Sequence, residues 1–143
     1  MKYRIGFLVL LIAMSITNIS NAQSDIKKIK DRVIETLMKS EVDDAQVAII
    51  VNTIRDDGTW PGINYEDVSR TGFQHVNHYG NMVTLARAFK NKGSKFHKSK
   101  KVKSTIELAL KNWVDNDYFC DNWWHNQIGT TNGLVTLMLI IGD

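Results

Sequence analysis

The sequence predicts an all-α protein of antiparallel helical hairpins, on three observations. Apolar residues recur at spacings of three and four along most of the chain, and β-branched alternation is scarce. Proline occurs once, at Pro61, so little interrupts helical runs. The connections are short and rich in Gly, Asn and Asp, which turns successive helices back on one another into a hairpin array or toroid.

The elements follow in order. Lys2 and Arg4 precede an apolar run, Ile5 to Ile16, and Ser20-Asn21-Ala22 offers small residues to a signal peptidase. Residues 1–22 are therefore expected to be a signal peptide cleaved before Gln23. The apolar run is too short for a membrane span. No Cys follows it to carry a lipid, so no membrane association is expected after cleavage. Removing Lys2 and Arg4 lowers the formal charge from +3 to +1. A charge that small argues against nucleic acid as a partner.

Ile26, Ile29, Val33 and Leu37 mark a first amphipathic helix. Val47, Ile50, Val51 and Ile54 form the stripe of a second, Asp43 to Ile54, expected to end at Asp56-Asp57-Gly58 with Gly58 at positive φ. A loop holding Trp60, Pro61, Gly62 and Tyr65 runs from Thr59 to about Thr71. The third helix is expected from about His75 to Asn91, with Val76, Met82, Leu85, Ala86 and Phe89 inward. Asn91-Lys92-Gly93-Ser94 breaks it. The fourth spans about Lys101 to Asp115, with Val102, Ile106, Leu108, Leu110 and Trp113. The fifth covers about Thr131 to Ile141.

The fifth helix is apolar nearly all round: Val135, Leu137, Met138, Leu139, Ile140 and Ile141. Such a helix needs neighbours on every side, more than the preceding helices supply. Residues 23–143 are therefore expected to be the N-terminal part of a longer domain, truncated at its C-terminal end. The alternative is a small helical domain that oligomerises through this helix.

Charge and cysteine use narrow the setting. Lys95, Lys98, Lys100, Lys101 and Lys103 form a basic stretch that reads either as a solvated face or as a lure for a polyanion. Cys120 is the single cysteine, so no internal disulfide can form, which for an exported chain points to a bacterial periplasmic or extracellular setting. His75 and His78 could share a helical face and bind a metal, but no third ligand is identifiable. No metal and no cofactor are expected.

The most distinctive stretch is Asn122-Trp123-Trp124-His125-Asn126-Gln127-Ile128. Adjacent residues on a helix point about 100° apart, so two adjacent tryptophans do not both enter one core easily. They are better placed at a loop-to-helix junction that displays at least one indole. An indole covers the apolar face of a sugar ring, and neighbouring Asn and His bond its hydroxyls and carboxylates. Asn122, Trp123, Trp124, His125 and Asn126 are the candidate substrate-binding residues. The competing readings are that Trp124 packs into a core, and that His125 and Asn126 cap the following helix.

Asn-Trp-Trp-His-Asn-Gln-Ile resembles the aromatic-patch motif of the family 8 polysaccharide lyases, which act on chondroitin, hyaluronan and xanthan. Asp56-Asp57-Gly58-Thr59-Trp60 with Ile63-Asn64-Tyr65 is similar to a second family motif. Lys111-Asn112-Trp113 with Asp115 and Asp117 is a looser third. The resemblance runs from about Lys27 to the last residue. It implies an incomplete (α/α) toroid, followed in the family by antiparallel β-sandwich domains, and a uronic acid-containing polysaccharide as partner.

The chemistry so implied is β-elimination. A base removes the proton at C5 of the uronate while a donor neutralises the adjacent carboxylate. A tyrosinate serves if nearby cations lower its pKa from about 10. In the family these tasks fall to Asn, His, Tyr, Arg and Glu beyond the point matched by Asp143, so no catalytic residue is expected here and the chain alone is expected to be inactive. Two other functions remain open: a non-enzymatic carbohydrate-binding module, and a fragment of an (α/α) glycoside hydrolase, which needs a pair of carboxylates.

Overall fold

In the computed structural model, residues 23–142 are described, and every regular element among them is a helix. The expected signal peptide lies outside the described residues. The chain divides into two units, residues 1–36 and 37–143. The first described helix, α1, spans residues 23–37. It carries the surface pairs Lys27–Asp31 and Lys28–Asp25 one turn apart.

The second unit holds α2 (Asp44–Thr53), α3 (Val76–Lys90), α4 (Lys100–Asn116) and α5 (Thr130–Ile141). Local chemistry sets their ends. Asp43 Oδ1 accepts the Ala45 and Gln46 N–H groups and starts α2. Ser99 does the same for α4 through the Val102 N–H. Asp117, at φ 44°, ends α4 in the left-handed region.

α3 is the central helix, packed against α2, α4 and α5. Met82, Leu85, Ala86 and Ala88 on it are fully buried. They meet Val47, Ile50 and Val51 of α2, Val102, Ile106 and Ala109 of α4, and Leu137 and Ile140 of α5 in one core. A second cluster of Phe73, Trp113 and Cys120 adjoins it. The expected helices thus coincide with α2 to α5 to within a residue or so, except at two places, whereas the apolar stripe expected on α1 is exposed, Ile26 67%, Ile29 61% and Val33 41%.

The first exception is Gly58. α2 stops at Thr53 because Ile54 is already extended, at ψ 138°. Gly58, at φ +84°, instead forms a separate turn in which its N–H reaches the Arg55 carbonyl. A β-carbon there would stand 2.6 Å from the Leu108 carbonyl oxygen and 2.8 Å from Asn112 Cβ, so glycine also lets this turn touch α4.

The second exception is the start of the last helix. Helical backbone begins at Trp123, not Thr131, and passes through a π-helical turn, His125–Gly129, before α5. Asn122 is the cap: its Oδ1 accepts the Trp124 N–H at 3.1 Å. Leu137 and Ile140 of α5 are buried, whereas Val135 and Met138 are 43% and 58% exposed, so the preceding helices cover one face only.

Candidate functional site

The cap, the π turn and a side-chain clamp together present the aromatic motif. Asn126, inside the π turn, holds the preceding loop: its Oδ1 accepts the Cys120 N–H at 3.0 Å and its Nδ2 donates to the Cys120 carbonyl at 2.7 Å. Asn122 Nδ2 donates to the Arg70 carbonyl and ties the same loop to the segment before α3. Cys120 is buried, with its Sγ near the Asn122 carbonyl and Asn126 Oδ1. Asn122 and Asn126 therefore spend polar atoms on shaping the loop, and Asn122, not His125 or Asn126, caps the helix.

Both tryptophans are displayed, Trp123 57% and Trp124 46% exposed. Trp124 is thus not a core residue among the described contacts. Its ring lies against Gly129, where an added β-carbon would be 2.8 Å from Cζ3. His125 is half-buried between this indole and Phe73, at centroid distances of 5.3 Å and 5.4 Å. Its Nδ1 is buried without a hydrogen-bond partner. The five candidate residues are contiguous in space as in sequence, and two grooves border them.

One groove, about 330 Å³, runs past His125 along Phe73, Gln74 and Asn77. The other, about 470 Å³, lies between α3 and α5. Trp124 forms one wall, Gly80, Gly129 and Gly133 the floor, and Tyr79, Asn132 and Arg87 part of the rim. Sequence reading missed Tyr79, Arg87, Gly129 of the π turn and Gly133 of α5. The available signal was the spacing of Gly129 and Gly133, four apart at the start of the last helix, which leaves room on one face for large rings.

The Asp-Gly-Thr-Trp segment has a different role. Trp60 is 2% exposed and its Nε1 donates to the Ile50 carbonyl at 2.9 Å, so it anchors the loop to α2. Tyr65 closes a directed chain. The Trp60 N–H donates to Tyr65 Oη at 3.1 Å, Tyr65 Oη lies 2.9 Å from His78 Nδ1, and His78 Nε2 lies 3.0 Å from the Ala109 carbonyl. A carbonyl only accepts, so His78 carries its proton on Nε2 and the Tyr65 hydroxyl donates to Nδ1. His75 Nε2 likewise donates to the Tyr65 carbonyl. Both histidines are fully buried and committed to the loop.

Burial sets the protonation of this cluster. It pushes His78 down to about 4, so the ring is neutral, and lowers His75 as well. It raises Tyr65 to about 12, and it also raises Tyr79 and Tyr118. None of these three tyrosines is activated as a base; each holds its proton more tightly than free tyrosine.

A cleft of about 670 Å³ lies beside this cluster and contains none of residues 122–126. Asp56, Asp57, Glu66 and Asp115 line it against Arg55 and Lys111. Its acidic balance would repel a polyuronate, and its size does not make it the binding site.

The helical hairpin array and the displayed tryptophan pair define a fold and a surface, and comparison with known proteins specifies the family. The model of "Polysaccharide lyase family 8, N terminal alpha-helical domain" matches residues 14–143, and the chain belongs to that family. Chondroitinase-AC of Pedobacter heparinus is 33% identical over 91 residues, which is 64% of this chain and 13% of that protein. A solved structure of chondroitinase AC lyase, from a study of its oligosaccharide complexes, matches with a TM-score of 0.72 at 31% identity. It covers 78% of this chain and 17% of that one. The helices are accordingly those of the first part of an (α/α) toroid, and the chain spans less than a fifth of the length of either relative.

Proposed function

We propose that this chain is the substrate-holding, N-terminal part of a secreted polysaccharide lyase that cleaves a uronic acid-containing chain by β-elimination. The observation that carries this is the exposure of Trp123 and Trp124 side by side at the capped start of a helix. Burial would have hidden at least one indole; here both can stack on sugar rings. His125 supplies a polar contact beside them. Asn122 and Asn126 hold the platform, with unused donor and acceptor capacity for hydroxyl groups.

The reading extends to the parent activity. Both relatives are chondroitinases, and the tyrosines raised by burial are unsuited to proton abstraction. Residues 23–143 then bind, and elimination requires groups supplied by further sequence. Residues 1–22 serve as the export signal.

The test is Trp123→Ala combined with Trp124→Ala in the 143-residue chain. Two lost stacking contacts of about 1 kcal/mol each weaken chondroitin oligosaccharide binding roughly tenfold to thirtyfold. Unchanged affinity with an unchanged circular dichroism spectrum would sink the reading. For the parent, a longer reading frame containing this chain is expected to generate the ultraviolet absorbance of an unsaturated uronate from chondroitin.

A further inference from the structure

The groove between α3 and α5 continues from Trp124 along the surface, and its charge is unlike that of the larger cleft. Of the described residues that line it, Arg87 is the one with a charged side chain, and no carboxylate is present. The guanidinium is held in place, since its Nε donates to the Leu37 carbonyl at 2.9 Å. That bond occupies Nε, while the Nη donors have no hydrogen-bond partner among the described residues. Gly80 and Arg87 both line the groove and stand seven residues apart on α3, which is roughly 10 Å along the helix. The groove thus has an aromatic wall and, along its length, a fixed cation.

The floor is kept open by glycine. A β-carbon at Gly129 would collide with the Trp124 ring, and one at Gly133 with the Tyr79 ring. The two rings therefore lie low against α5 and leave the space above them free. Asn132 and Thr136 add uncharged polar groups to the rim. A volume of about 470 Å³ is of the size that takes a small ligand or one or two sugar units.

We propose that this groove is an anionic-sugar subsite, in which Trp124 stacks on a sugar ring and Arg87 pairs with the carboxylate or sulfate of a residue further along the same polysaccharide. The proposal rests on the carbohydrate-binding reading and adds to it Arg87 as the group that selects for negative charge. A guanidinium suits this task because its planar donor pair matches a carboxylate or sulfate bidentately.

The experiment compares Arg87→Gln with the parent chain for binding of unsulfated chondroitin oligosaccharide, chondroitin 4-sulfate oligosaccharide and a carboxyl-reduced, unsulfated control. Gln retains a donor for the Leu37 carbonyl. Supporting outcomes are a loss of about tenfold or more for the charged oligosaccharides, little change for the neutral one, and a shallower salt dependence. A loss confined to the sulfated ligand assigns the sulfate as the partner; a loss for both charged ligands assigns the carboxylate. Equal weakening of all three, or no weakening of any, overturns the proposal. If the tryptophan double variant loses affinity and Arg87→Gln does not, the subsite fails while the stacking platform stands. If neither variant loses affinity, both readings fail.

Discussion

The indole of Trp124 rests on Gly129, so closely that a β-carbon at that glycine would stand 2.8 Å from Cζ3 and 3.3 Å from Cε3. Gly129 is buried, and it closes the π turn that carries His125 and Asn126. The platform thus depends on one missing methyl group. Gly129→Ala gains about 1 kcal/mol of helix propensity but forces the indole outward. The expected result is weaker oligosaccharide binding and an altered tryptophan emission, with stability changed by less than about 2 kcal/mol. Unchanged emission and affinity would show that the ring is not seated there.

Gly80 is the internal control for that argument. It lies in α3 with nothing within 4 Å of a built β-carbon. Gly80→Ala is expected to stabilise the chain by about 0.5–1 kcal/mol, read as a higher urea midpoint at constant m-value.

Tyr65→Phe breaks the directed chain in two places. It removes the acceptor of the Trp60 N–H and the donor to His78 Nδ1. Leaving two partly buried partners unsatisfied costs about 2 kcal/mol or more. Tyr65 ionises near 12 in the folded chain against about 10 when unfolded, so the unfolded state releases its proton first as pH rises. Stability is expected to fall from pH 10 to 12, and a denaturant series in Tyr65→Phe should lack that component.

His78 gives the opposite limb. Its folded pKa of about 4 lies below the unfolded value near 6.5, so only the unfolded chain takes up the proton between them. The neutral ring's stability is complete above pH 6.5 and falls by on the order of 3 kcal/mol as pH drops to 4. Urea titrations at pH 7, 5.5 and 4 check this. A flat profile would mean that His78 exchanges protons freely with solvent.

Asn126→Ala should release the Cys120 loop, since both bonds to the Cys120 backbone are lost. The expected cost is about 1–2 kcal/mol, with faster amide exchange at Cys120. Asn126→Asp keeps the acceptor for the Cys120 N–H but points a second oxygen at the Cys120 carbonyl. It is therefore expected not to rescue stability, which distinguishes an amide clamp from a simple polar contact.

The helices were legible because their signals are local. Val47, Ile50 and Val51, or Val102, Ile106 and Trp113, repeat at helical spacing and are buried as that spacing demands. The aromatic motif was legible too, since adjacent tryptophans do not share a core. Gly58 has the expected positive φ, but it serves a separate turn against α4 and not the end of α2, which a glycine after an apolar run resembles. The π turn was hidden because Gly129-Thr130-Thr131-Asn132-Gly133 looks like a breaker. The helix starts earlier because Asn122 caps it at Trp124 and Asn126 ties the turn to the Cys120 carbonyl.

Composition and periodicity alone were enough for the all-α class, for five helices and for at least one displayed indole, since each follows from the order of side chains along one segment. The partners of Tyr65 lie 13 residues away at His78, and those of His78 31 residues away at Ala109. Arg87 meets Leu37 across 50 residues, and its groove forms only when α3 and α5 lie side by side. Such relationships depend on where helices cross. Crossing is set by how whole faces pack, a property that no single stretch of sequence carries.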